Sequence, residues 1–299
     1  MPAADTNRFL DPAVLAEVSS LDLVAKTVVE GFIAGLHRSP DFGFSQEFAE
    51  YRAYTPGDDL RHVDWNVFAR TERAYLKRYR GETNTQLTVL LDVSASMNFG
   101  STPVTKMRYA KYLASALVYL GHLQRDSAGL IVFHDEVANF VPPSSRQGQL
   151  VRLLHAIDNA QAGTRTNFAK PLLALQQFLR RRGMTVLISD FFESPATIIE
   201  TVEPLRFRGN ELILFHVLDP AEIAPQIDYS ALLVDMETGE SIETSSHYAR
   251  EEYGARIAAH LAELRAKAQA AGIDYFLLRT DRPLDRALRE YFSLRQGRF

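Results

Sequence analysis

The chain has 299 residues, of which 46% are hydrophobic and 23% charged, an ordinary globular composition. Its formal charge of −4 offers no basic surplus for nucleic acid or an anionic membrane surface. It has no Cys, so disulfides, thiolate nucleophiles, iron–sulfur clusters and Cys-ligated zinc are excluded. The longest unbroken apolar run is the five residues Ala116 to Leu120, against the ~20 that a membrane-spanning helix needs. Met1-Pro2-Ala3-Ala4-Asp5 shows no basic stretch leading into an apolar one. The expectation is a soluble, cytoplasmic protein with no membrane span.

Residues 1–83 and 84–299 differ in texture and are read as two regions: an N-terminal helical and extended segment, then an α/β domain. Apolar residues from Val14 to Ile33 recur at near-helical spacing, which predicts a helix over Pro12 to Leu36, broken near Ser19-Ser20. Turn-rich sequence follows, including Thr55-Pro56-Gly57-Asp58-Asp59, before a strand over Ala74 to Arg80. Beyond residue 84, strands are predicted at Leu87–Leu91, Ala128–Phe133, Thr185–Ile188, Glu211–Val217 and Tyr275–Leu278. Helices are predicted at Lys106–Leu123, Gln147–Asn159, Ala169–Arg182, Pro195–Phe207, His247–Ala271 and Leu284–Tyr291. Such alternation implies a doubly wound, mostly parallel sheet with helices on both faces. Ala231–Val234 and Ser241–Thr244 read as an inserted hairpin.

Several chemistries are missing. No two glycines stand two apart and none precedes a Lys, which removes the dinucleotide fingerprint and the phosphate-cradling loop. There is no G-x-S-x-G elbow and no zinc spacing among the eight histidines. His134 and His216, at strand ends, read as packing or loop residues.

One constellation stands out. The apolar strand Leu87 to Leu91 runs straight into Asp92-Val93-Ser94-Ala95-Ser96. In a parallel sheet, ligands bind where strands end, so Asp92 is placed at the mouth of the sheet. One tight loop can gather Asp92, Ser94 and Ser96, a hard all-oxygen set suited to Mg²⁺. Gly163-Thr164-Arg165-Thr166-Asn167 precedes a helix where a loop could supply another hydroxyl. Thr185 to Asp190 is a second apolar strand ending in a carboxylate; if the two strands are neighbours, Asp92 and Asp190 face each other. The competing explanation of these residues is capping, since Ser and Asp favour turns and helix starts.

This order of D-x-S-x-S, loop Thr and strand-end Asp resembles the metal-ion-dependent adhesion site of von Willebrand factor type A domains. The resemblance implies a metal held by Asp92, Ser94, Ser96, Thr166 and Asp190, with Thr166 preferred over Thr164 because it immediately precedes Asn167. It also implies an open position for a partner's carboxylate. Upstream, Glu47 to Trp65 and Ala69-Arg70-Thr71 are similar to the defining stretch of the bacterial domain-of-unknown-function family 58. Arg78 to Asn84, Leu218-Asp219-Pro220-Ala221-Glu222 and Asp235 to Glu240 fit the same family. The resemblance spans about residues 30–295 and implies a von Willebrand type A core and partnership with MoxR-type AAA+ ATPases.

The expected protein is therefore a Mg²⁺-dependent (or Mn²⁺-dependent) interaction module that catalyses no covalent step. Its partners would be a MoxR-type ATPase and a client supplying a carboxylate, and its site would be solvent-exposed. The alternative is a metal-dependent phosphatase or hydrolase using Asp92. Position 94 argues against it, because phosphotransferases of the haloacid dehalogenase type resemble D-x-D and here Ser94 replaces the second Asp. Asp58-Asp59, Arg61, Asp64 and Trp65 are read as a structural knot, with a docking surface over Tyr51–Arg70 as the alternative. Arg180-Arg181-Arg182 is read as a basic helix end.

Overall fold

A computed structural model describes residues 11–18, 20–37, 50–53, 67–68, 74–78, 86–163, 171, 182–206, 209–225, 231–234, 241–244 and 252–298. The chain divides into two compact units, Met1–Phe32 with Thr85–Phe299, and Ile33–Asn84.

In the smaller unit, β1 (Glu50–Ala53) pairs antiparallel with β2 (Tyr75–Arg78). Residues 54–66, 69–73 and 79–85 fall outside the described residues, and with them Asp58, Asp59, Arg61, Asp64 and Trp65.

The larger unit is built on a six-stranded sheet. Its strands are β3 (Gln86–Asp92), β4 (Ser127–Phe133), β5 (Val137–Ser144), β6 (Gly183–Ser189), β7 (Glu211–Leu218) and, after the hairpin strands β8 (Ala231–Val234) and β9 (Ser241–Thr244), β10 (Asp274–Arg279). The spatial order is β10-β7-β6-β3-β4-β5, all parallel except β5. The hairpin is antiparallel, as its sequence predicts. β3 comes first in the chain and lies inside the sheet. The chain leaves it for β4 and β5 on one side and returns to β6, β7 and β10 on the other, so the C-terminal end of β3 is the topological switch point.

β3, β4, β6 and β7 read as near-continuous apolar runs because both of their faces are covered. Leu90, Leu187, Leu212 and Leu214 join one core cluster with Ile198, Val202 and Leu205 of the Pro195–Arg206 helix and Leu264 and Ala268 of the Gly254–Ala270 helix. The alternate residues Val89, Leu91, Val186, Ile188, Ile213 and Phe215 are equally buried and point to the opposite face. There the Lys106–Leu123 helix crosses β3, β4, β6 and β7. The Leu21–His37 helix buries Val24, Val28, Val29 and Phe32, and Phe32 meets Phe292 of the Asp285–Arg298 helix edge-on at 6.1 Å.

The fold class is the one expected from the sequence, with three adjustments. The N-terminal helix is two pieces, Pro12–Leu15 and Leu21–His37, as the Ser19-Ser20 break suggests. The helix expected from His247 is α-helical from Gly254 after a π-type start at residues 252–253, and residues 247–251 lie outside the described residues. β5 was not anticipated: it contains Pro142 and Pro143, which a central strand would not tolerate but an edge strand does. The predicted Ala169–Arg182 helix lies almost wholly outside the described residues.

Candidate functional site at the switch point

β3 and β6 are parallel neighbours in register from Gln86↔Gly183 to Leu91↔Ile188. This pairing brings the two strand-end acids, Asp92 and Asp190, to one place. Ser189, the last residue of β6, donates its hydroxyl to Asp92 Oδ2 at 2.6 Å. Asp92 Oδ1 accepts the Ser94 backbone N–H at 2.8 Å, which turns the chain tightly after β3. That turn sets the Ser94 and Ser96 hydroxyls 3.0 Å apart at the start of a 3₁₀ turn, Ala95–Asn98. Asp92, Ser94, Ser96 and Asp190 thus converge. Thr166 lies outside the described residues, as does Thr164. The described edge of their loop is tied to the same place, because Gly163 N–H donates to the Val93 carbonyl at 2.7 Å. A Cβ on Gly163 would sit 2.5 Å from the His134 ring, so only glycine lets this loop pass.

The expectation of a solvent-exposed site is overturned. Asp92 and Ser94 are 0% exposed and Asp190 4%, while Ser96 is half-buried. Burial, then the charge of nearby Asp190, pushes the Asp92 carboxyl up to about 7 despite the hydrogen bonds from Ser189 and Ser94. Among the described residues no cation pairs with Asp92.

Three contributors escaped the sequence reading. Ser189 orients Asp92 and also accepts the Phe191 N–H at 3.2 Å. Lys106, the first residue of its helix, is 0% exposed, and its ammonium lies 2.7 Å from Asp190 Oδ2 and 2.6 Å from Glu222 Oε1. Glu222 is fixed by a capping box on the Pro220–Ile223 turn, where its other oxygen accepts the Asp219 N–H at 2.8 Å. The one available signal was local: Asp219-Pro220-Ala221-Glu222 has the spacing of a capping box. Nothing local announces that Lys106 points inward.

Behind the Asp190 loop, Phe191 adopts φ 44°, a left-handed conformation uncommon for a bulky residue. His260 Nε2 donates to its carbonyl at 2.9 Å, and its ring meets His216 edge-on at 5.3 Å. His216 is buried and bonded to the Tyr275 hydroxyl at 2.8 Å; burial, then His260, lowers its pKa to about 3. It is a neutral packing residue, as expected.

The donors suit a hard divalent cation. They are two carboxylates and at least two hydroxyls, and one of the carboxylates is buried against like charge with no counter-ion among the described residues. Among the described residues no three His, Asp or Glu side chains gather as a metal cluster, so the hydroxyls would have to complete the set.

A family profile described as "Protein of unknown function DUF58" matches residues 50–263. An uncharacterized protein of Mycobacterium tuberculosis is 31% identical over 278 residues, covering 91% of this chain and 86% of its own length. Among solved structures, the conserved hypothetical protein BatB of Bacteroides thetaiotaomicron aligns with a TM-score of 0.46 at 16% identity, covering 70% of this chain and 97% of that one. A von Willebrand factor type A structure from Catenulispora acidiphila aligns with a TM-score of 0.35 at 14% identity, covering 45% and 33%.

Proposed function

The chain belongs to the DUF58 family of proteins of unknown function, and on that premise we propose that it is a cytoplasmic, Mg²⁺-dependent protein-interaction module that works with a MoxR-type AAA+ ATPase. The observation that carries the reading is the buried Asp92 facing Asp190 beside the Ser94 and Ser96 hydroxyls, with no cation paired to Asp92 among the described residues. Asp92, Ser94, Ser96, Asp190 and Thr166 would hold the ion, with Mn²⁺ as an alternative occupant. Two carboxylates at best neutralise a divalent ion; bound there, it would supply an electrophilic position for an outside oxygen anion. A Glu or Asp on a partner is the natural donor, since no cofactor motif competes for the spot.

Both oxygens of Asp92 already accept hydrogen bonds, which suits a fixed ligand better than an attacking nucleophile. This supports a binding role without covalent chemistry. The support for the ATPase as partner is the family membership. Among the described residues no helix is long and apolar enough to cross a membrane.

The test is affinity capture with the full chain as bait, in Mg²⁺ and then in chelator, with partners identified by mass spectrometry. An AAA+ ATPase or client retained only in Mg²⁺, and lost with Ser96→Ala or Thr166→Ala, is the expected result. Retention that ignores chelator and both substitutions moves the interaction surface elsewhere, first to Tyr51–Arg70.

A further inference from the structure

Lys106 presents a problem for any cation site at Asp190. A buried ammonium 2.7 Å from Asp190 Oδ2 already neutralises that carboxylate, which should cost the site half of its anionic charge. The structure supplies the compensation. Glu222 Oε1 sits 2.6 Å from the same ammonium, so Lys106 is shared between two carboxylates. Three carboxylates, Asp92, Asp190 and Glu222, and one ammonium leave two negative charges, the number a divalent ion requires. The neighbouring buried Asp219 is a further carboxylate that makes no contact with the Lys106 ammonium; it is held by the backbone N–H groups of Ser101 and Ala221 and by the hydroxyls of Ser101 and Thr280.

Glu222 is fixed at both oxygens, Oε1 on the Lys106 ammonium and Oε2 on the Asp219 N–H. The Lys106 ammonium is similarly confined, with the Phe192 ring 4.7 Å away on a further side. Neither group can swing to serve the site in another way without breaking its own bonds.

We infer that Glu222 is a positioning residue for the cation site: acting through Lys106, it cancels the ammonium and keeps the full charge of Asp190 available to a divalent ion. The inference rests on the cation site proposed above and adds its outer half, built from the Lys106 helix and the Pro220–Ile223 turn. It gives a sign that simple structural support does not give. Removing the charge of Glu222 should weaken divalent binding, and removing that of Lys106 as well should restore it.

The experiment is calorimetric titration of the full chain with Mn²⁺ alone, for wild type, Glu222→Gln and the double variant Lys106→Met/Glu222→Gln. Circular dichroism in chelator checks folding. Glu222→Gln should bind at least about tenfold more weakly, because an unbalanced unit charge then lies close to the ion. The double variant should recover most of that loss. It removes the Lys106 and Glu222 charges together, so the net charge around the site stays at the wild-type value while Asp190 loses its ammonium partner and is left for the divalent ion to neutralise. Wild-type-like affinity in Glu222→Gln, or a double variant that binds no better than Glu222→Gln, overturns the inference while leaving the cation site standing. Absence of Mn²⁺ binding to the wild type overturns both.

Discussion

Substituting Asp92→Asn should stabilise the protein in chelator at alkaline pH. Asp92 is fully buried beside a second carboxylate, and its carboxyl is pushed up to about 7 from an ordinary 3.8. The folded state therefore binds this proton more tightly than the unfolded state does. The side chain's contribution is most favourable below pH 3.8, declines as pH rises from 3.8 to about 7, and is least favourable above that. Three pH units at about 1.4 kcal/mol each amount to about 4 kcal/mol of destabilisation at pH 8. Asn removes that charge but misplaces an amide N–H against one of two donors, the Ser94 N–H or the Ser189 hydroxyl, at a cost of about 1–2 kcal/mol. The net gain is about 2–3 kcal/mol, or a rise in Tm of roughly 3–5 °C for a chain of this size. Thermal melts in chelator at pH 8 and pH 5.5 check this. Wild type should melt higher at pH 5.5, and Asp92→Asn should lose most of that difference. The reasoning fails if Asp92→Asn melts at or below wild type at pH 8, or if the wild-type melting point does not climb on acidification. Mg²⁺ should then raise the wild type's stability by about 2.7 kcal/mol at a hundredfold excess over Kd and leave Asp92→Asn unmoved.

Ser189→Ala removes a donor to Asp92 and an acceptor for the Phe191 N–H, so it should cost about 1–3 kcal/mol in denaturant melts and move the wild-type pH transition upward. Gly183→Ala would place a Cβ 2.3 Å from the Gln86 carbonyl oxygen in the adjoining strand, forcing β3 and β6 apart beneath the site. It should destabilise by more than about 2 kcal/mol, with loss of divalent binding in calorimetry. Gly254→Ala, at a helix start with open space around it, should instead stabilise by about 0.5–1 kcal/mol in the same melts.

The apolar runs Leu87–Leu91, Ala128–Phe133, Thr185–Ile188 and Glu211–Val217 were legible in the sequence because a doubly covered parallel strand has no polar side to hide. The Lys106–Leu123 helix and the Ala231–Thr244 hairpin were equally plain, since local periodicity and turn chemistry decide them. The acids and hydroxyls of the site were visible because they fall immediately after strand ends. The exposure of that site was misjudged. Strand ends are reached by solvent only where loops leave them open, and the path of the Asp190–Phe192 loop is set by His260 and His216, 69 and 25 residues or more along the chain. Glu222 and Lys106 were invisible for the same reason. Their separation of 116 residues carries no pattern, and a helix-initial Lys ordinarily reads as a solvated charge. Only the strand order β7-β6-β3, which sets the Asp219 turn and the Lys106 helix around the end of β6, makes that lysine the counter-ion of Asp190.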